Sequence, residues 1–394
     1  MKLLEKEKFN KIPAINWRSI PVDFFQKMKS FEEVFDFPLV TRMWQSKEFY
    51  RNSSREESKK VIKEYCKNVI IHFDLLNYLV EFKRLKDFLM IAPKANITVE
   101  LENVKTTQDV KNLLIVNEEL KKVNNNLFIV SKYETSRDYE ILYEVDDIVF
   151  ANKQLDDWAN EINSAVVDGK HLSPLEKFVY AYMIVTNREY KENDNRNLSR
   201  NIVAVLNGDY CVCAGFASLL EELCSRIGIK CVHKSIGVGE WHAINAVIID
   251  DEKYGIENSL YYSDPTYDCK TQGNTMFNTL LPSMKDLFSA YHDVEKEKCK
   301  EFSFDEKKLF DDEISYTQAC NNAKKIQYNT MVKVLLNIFE SKGLTSQDCA
   351  KYLNSTFDKV KAHSSVYKDT WAYDFLRAKN VIKSGANNNS PNRR

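Results

Sequence analysis

The sequence has almost no net charge: 56 Lys and Arg against 57 Asp and Glu leave −1 over 394 residues. Without a field of one sign there is no global pull toward nucleic acid or an anionic membrane, so neither is expected as a partner. Long hydrophobic runs are missing too. A membrane span needs about 20 apolar residues, and the most apolar segment, Val69 to Val80, is interrupted by His72, Asp74 and Asn77. That segment reads as a core helix. The N-terminus, Met1-Lys2-Leu3-Leu4-Glu5-Lys6-Glu7-Lys8, places charges where a secretory signal needs apolar residues. The nine cysteines are odd in number and form no short regular framework, which points to reduced thiols and a cytoplasmic location. There is no internal repeat and no run of oxygen ligands at calcium-loop spacing, and no cofactor or metal is expected.

What is present is ample core material, 44% hydrophobic residues, arranged in distinguishable stretches. Residues 1–95 read as a helical region, with apolar and charged residues interleaved at helical spacing from Glu56 to Leu89 and no Gly or Pro among them. Period-two alternation at Ile97–Leu101 and around Tyr139–Val145, with an apolar run at Leu127–Val130, predicts a small antiparallel sheet over residues 96–149. In residues 150–275, Ser173-Pro174-Leu175-Glu176 is a helix-start signature, predicting a helix to about Thr186. A second helix is predicted from Cys213, with Phe216, Leu219, Leu220 and Leu223 on one face and Gly228 as its stop. Strands are predicted at Lys230–Ile236, His242–Ile249 and Leu260–Ser263, making the fold class α+β. Residues 276–384 read as helical, clearest at Thr317–Glu340, Ser346–Lys361 and Asp369–Lys383. The polar stretch 385–394 is expected to be disordered.

Three segments carry candidate chemistry: Cys211-Val212-Cys213-Ala214-Gly215-Phe216-Ala217, Glu240-Trp241-His242-Ala243 and Ser263-Asp264-Pro265-Thr266-Tyr267-Asp268. A thiol acyl transferase or hydrolase needs a thiolate, an imidazole within reach and a group that orients the imidazole. Cys213 sits where a loop enters a helix, and the free amides and positive dipole end there favour a thiolate. His242 starts an apolar strand after the Gly237-Val238-Gly239 loop. A hairpin centred near Lys253 would set His242 opposite Asp264. Singly, each residue has a plainer explanation: a small buried Cys, a structural His, an Asp-Pro-Thr turn.

Taken together, Cys-Ala-Gly-Phe-Ala, a helix ending in Ile-Gly-Ile, His-Ala-x-Asn-x-Val and Asp-Pro-Thr-aromatic-Asp resemble the transglutaminase-like superfamily of papain-like Cys-His-Asp cysteine enzymes. The resemblance covers roughly residues 150–275. It implies a catalytic helix packed on an antiparallel sheet, with Cys213 as nucleophile, His242 as general base and acid, and Asp264 as orienting group. It also implies acyl chemistry at an amide of a protein or peptide substrate, through a thioester released by water or by an amine. By the same resemblance, members without calcium-site or secretory features are more often hydrolases or uncharacterised enzymes than cross-linkers. Ile244 stands where the family commonly has Trp, and Ser263 and Tyr267 where it often has Val and Trp; these departures alter the pocket wall rather than the triad.

Three rival readings exist. Cys211 is a second thiol two residues away, but the small-Gly-aromatic-Ala pattern does not follow it. Cys211, Cys213, Cys224 and Cys231 cluster in sequence as zinc ligands do. On one helix, however, Cys213 and Cys224 would stand roughly 16 Å apart, too far to share an ion. The third is a non-catalytic interaction scaffold that retains the transglutaminase-like fold.

Overall fold

The structure, a computed structural model, describes residues 14–15, 68–74, 78–91, 96–102, 107–123, 127–132, 142–192, 199–208, 210–269, 279–291 and 296–361. These residues mix helix and strand, an α+β chain divided into two compact units, residues 1–152 and 153–394. Among the described residues no helix is long and apolar enough to cross a membrane.

The first unit holds a five-stranded sheet of β1 (Ala14–Ile15), β2 (Asn68–Asp74), β3 (Asn96–Glu102), β4 (Phe128–Lys132) and β5 (Leu142–Glu144), in that order. Two expectations are corrected here. Val69 to Val80 is not one helix: Asn68–Asp74 is a strand, and the helix α1 begins only at Tyr78, running Tyr78–Ile91. A short run of Val69, Ile70, Ile71 and Phe73 is ambiguous between helix and strand. Its register against β3, Val69 opposite Ile97 through Phe73 opposite Leu101, settles it as strand. The sheet is also mainly parallel rather than antiparallel, since β1–β2, β2–β3 and β3–β4 run parallel and only β4–β5 is antiparallel. The cause is a helix that the alternation of the strands obscured. α2 (Thr107–Val123) buries Leu113, Val116 and Leu120 at helical spacing and carries the chain from β3 to a parallel β4. Helix α3 (Val145–Ser164) follows.

In the second unit, a small hairpin of β6 (Val166–Val167) and β7 (Lys170–His171) precedes α4 (Pro174–Thr186). The capping box of α4 is formed, with Glu176 accepting from the Ser173 amide at 2.7 Å. Short α5 (Ile202–Asn207) leads to α6 (Cys213–Arg226). A four-stranded antiparallel sheet follows, ordered β10-β9-β8-β11, from β8 (Cys231–Val238), β9 (Trp241–Asp251), β10 (Ile256–Ser263) and β11 (Cys299–Glu301). Between β10 and β11 lies α7 (Met284–Ala290); beyond β11 come α8 (Glu313–Asn322), α9 (Tyr328–Ser341) and α10 (Ser346–Lys361).

The sheet has helices on both faces, as the two-fold alternation of β9 dictates. Asn245 points to α6 and donates to the Ala217 carbonyl at 2.8 Å. Ile244, Ala246 and Ile248 point the other way, into a core with Ile236, Leu260, Tyr262, Leu287, Tyr291 and Ala319. The helix expected over Thr317–Glu340 is broken at residues 323–327, because the Lys324 carbonyl accepts from the Tyr261 hydroxyl and Ile326 is drawn inside. The segments Asp369–Lys383 and 385–394 lie outside the described residues.

Candidate active site

Cys213 is the first residue of α6. The chain arrives extended at Val212 (φ −115°, ψ −179°) and turns into a helix whose buried face is Phe216, Leu219, Leu220 and Leu223. Its C-terminal end passes into Gly228 at φ +78°, a left-handed position that suits glycine. The start of the helix is pinned from outside. Lys191 and Cys211 exchange backbone hydrogen bonds of 3.0 Å in both directions, and the Val212 amide donates to the Ser199 carbonyl at 2.9 Å. This loop lies so close to the first turn that a Cβ on Gly215 would stand 2.5 Å from the Ser199 carbonyl oxygen. The Cys213 side chain is left partly accessible, whereas Cys211 is only 2% exposed.

His242 is the second residue of β9, opposite Ile236 of β8 at the end of the sheet. β9 and β10 form the expected hairpin, but His242 and Asp264 are not cross-strand partners. The turn at Glu252–Tyr254 and Gly255 is followed by an irregularity between Ile256 and Ser259, after which Ser263 faces Asn245. One step further, Asp264 falls level with Ile244, and the chain leaves the ladder. The side chains meet all the same: His242 Nε2 lies 2.7 Å from Asp264 Oδ2.

Asp264 is fully buried and well supplied with donors. Its Oδ1 accepts from the amides of Thr266 (3.0 Å) and Tyr267 (3.1 Å), and its Oδ2 accepts from the Tyr291 hydroxyl at 2.6 Å as well as from His242. The Asp264 backbone is tied to Thr279, whose carbonyl accepts from the Asp264 amide at 3.2 Å and whose hydroxyl donates to the Asp264 carbonyl at 2.9 Å. Asp268, one turn on, is also buried, and accepts from the Tyr182 hydroxyl (2.7 Å) and the Thr279 amide (3.0 Å).

Burial opposes ionisation of the Cys213 thiol, but the hydrogen bond and charge of His242, with the Ala243 amide, outweigh it and hold the thiol below its ordinary value. With Nε2 engaged by Asp264, Nδ1 is the ring nitrogen left for the thiol. Burial alone would favour neutral His242; the charge and hydrogen bond of Asp264, then the contact with Cys213, push it up to about 10. Burial raises the Asp264 carboxyl, yet His242, Tyr291 and the Tyr267 amide keep it below the usual carboxylate range. Such a set favours thiolate, imidazolium and carboxylate in a row. The contrast with Cys211 is sharp, since burial drives that thiol well above its ordinary value. Asp268 differs as well: burial pushes it up to about 7, against its hydrogen bonds from Tyr182 and Thr279.

Cys213, His242 and Asp264, singled out in the sequence, are thus brought together. Tyr291, Thr279 and Tyr182 were not anticipated, and no motif surrounds them. Trp241 stands in the His242 segment, but nothing in the sequence assigns it a role of its own. It alternates onto the same side of β9 as Asn245, stacks on Phe302 with ring centroids 4.7 Å apart, and is 69% exposed. α6 runs unbroken from Cys213 past Cys224 to Arg226, so the four-cysteine zinc arrangement is geometrically closed to those two. Among the described residues no group of three or more His, Cys, Asp or Glu side chains is disposed to hold a metal ion. No protein-family model matches the chain, and no curated protein matches it in sequence.

Proposed function

We propose that the chain is a transglutaminase-like, papain-type thiol enzyme that acts on amide bonds of a protein or peptide through a Cys213 thioester, completed by water in preference to an amine. The observation that carries this reading is the continuous bonding of a lowered thiol at a helix start to His242, and of His242 to the buried Asp264 carboxylate at 2.7 Å. The packing of α6 on an antiparallel sheet whose end holds the histidine supports the same family reading.

The chemistry follows from the geometry. The Cys213 thiolate attacks the amide carbonyl, forming a C–S bond, and negative charge develops on the carbonyl oxygen. The Cys213 backbone amide, at the first turn of the helix where amides have no intrahelical partner, is suited to receive that charge. His242 gives its Nδ1 proton to the departing nitrogen as the C–N bond breaks, leaving a thioester and a free amine or ammonia. It then takes a proton from water, the hydroxide adds, and the C–S bond breaks to release an acid and regenerate the thiolate. Asp264 keeps Nε2 protonated and the ring oriented throughout. The exposed Trp241–Phe302 stack offers an apolar wall to a peptide chain. A cytoplasmic setting fits the described cysteines, all of which are free thiols.

The test is turnover of a panel of peptide amides by wild type and Cys213→Ala, with and without a primary amine. Release of acid by wild type alone, little diverted by the amine, supports the hydrolase. Predominant capture by the amine makes it a transferase. No turnover, with Cys213 no more reactive than other thiols, favours the scaffold reading.

A further inference from the structure

The four donors to Asp264 are not equivalent. The two amides come from its own turn and occupy Oδ1, while Oδ2 is shared between His242 and a phenol 27 residues downstream. Tyr291 stands at the C-terminal end of α7, 5% exposed, with its ring edge-on to His242 (centroids 6.2 Å, 84°) and to Tyr267 (5.5 Å, 86°). We propose that Tyr291 is a positioning residue of the site, whose hydroxyl competes with His242 for one carboxylate oxygen and so limits how tightly Asp264 holds the imidazolium.

The inference rests on the thiol-enzyme reading above. In that reaction His242 must remain protonated beside the thiolate and then surrender its proton to the leaving nitrogen. An aspartate whose Oδ2 served the imidazolium alone would bind that proton too firmly. A second donor on the same oxygen draws off part of its charge and makes His242 a better acid. The ring contacts fix where the Tyr291 hydroxyl sits, so the same side chain anchors the Asp264 Oδ2 that His242 uses.

The titratable groups facing this cluster are Cys213 from α6, Glu240 and Tyr190 on the thiol side, Tyr267 and Asp268 after β10, and Tyr182 from α4. None is basic, so His242 is the one cationic partner of Asp264 in this cluster with or without the phenol hydroxyl, and removing the hydroxyl changes only the number of donors on Oδ2. Because Asp268 is itself pushed up to about 7, the comparison is repeated in an Asp268→Asn background.

The experiment is the pH profile of Cys213 alkylation by iodoacetamide in the full chain, read by mass spectrometry of the Cys213 peptide. A wild-type profile with separate thiolate and imidazolium limbs supports the underlying reading; a single limb near the ~8.5 of a free thiol overturns both that reading and this inference. With two limbs present, Tyr291→Phe keeps the ring and should move the imidazolium limb up by about one pH unit, a tenfold change in proton affinity. Site-specific 3,5-difluorotyrosine at position 291, a stronger donor, should move it down. If both substitutions leave the limbs in place, or alter only the melting temperature, Tyr291 is a packing residue and the inference is wrong.

Discussion

The Asp264 carboxylate has no spare acceptor capacity for a group of different polarity. Two amides face Oδ1, and an imidazole N–H and a phenol O–H face Oδ2. An asparagine there must turn its NH₂ toward one pair of donors, whichever way it lies. Asp264→Asn should therefore lose the Nε2-protonated tautomer and the thiolate with it. A fall on the order of 10³-fold in Cys213 alkylation at about pH 6 is expected, with a folded circular dichroism spectrum; a fall of less than tenfold would contradict the role given to Asp264. At this scale the sequence was informative where chemistry and local structure coincide. Cys213 opens a helix, His242 opens a strand and Asp264 opens a turn, and each leaves a short local pattern. Tyr291 and Thr279 left none, because their part depends on where the chain after residue 278 returns to the sheet.

Elements set the distances within the site. The first turn of α6 accepts the Ser199–Cys211 loop only because Gly215 has no side chain: an added Cβ would meet the Ser199 carbonyl oxygen at 2.5 Å, Val205 Cγ2 at 2.9 Å and Cys211 Sγ at 3.1 Å. Helix propensity would gain about 1 kcal/mol from Gly215→Ala, but the backbone clash forces a shift typically worth 1–3 kcal/mol. The net expectation is a loss of up to about 2 kcal/mol in denaturant unfolding, together with slower Cys213 alkylation; a stabilised variant would show that the loop yields freely. Elements were also where the sequence misled. Alternation in Ile97–Leu101 reads as a strand of an antiparallel sheet, yet the strand pairs in parallel and Glu100 is buried along with Val99 and Leu101. The direction of its neighbours was decided by α2, whose apolar positions are diluted by Lys and Glu. In the hairpin, the turn and the extra residue near Ser259 each shift the register by one, so Asp264 falls level with Ile244 rather than opposite His242. By contrast, α4 ran from Pro174 to Thr186 as predicted, since its start carries its own cap.

At the scale of the whole molecule, the site's ionisation couples to folding. His242, raised to about 10, contributes stability that is complete below the unfolded value of about 6.5 and is lost as pH rises toward 10. Cys213, lowered, contributes stability that is complete above the unfolded value of about 8.5 and is lost as pH falls toward its native value. The two trends offset one another between about 6.5 and 8.5, where native and unfolded chains carry the same number of protons on the pair. Their joint contribution to thermal stability is thus expected to be flat across that window and to decline on either side. Cys213→Ala removes the compensating half, so its decline should begin near pH 6.5. Calorimetry of both proteins from about pH 5 to 10 checks this, and identical profiles would contradict the thiolate–imidazolium pair.

The central claim is that Cys213 is a thiolate because His242 and Asp264 make it one. Competitive labelling of the intact chain by limiting iodoacetamide at about pH 6, with each cysteine peptide resolved by mass spectrometry, tests it most directly. Exposure alone would favour Cys320, which is exposed, with Cys299 accessible to much the same degree as Cys213, and partial desolvation raises the thiols of both Cys320 and Cys299. The account predicts that Cys213 is labelled first and that His242→Ala abolishes this preference. Labelling of Cys320 or Cys299 ahead of Cys213, or a preference that survives His242→Ala, would contradict it.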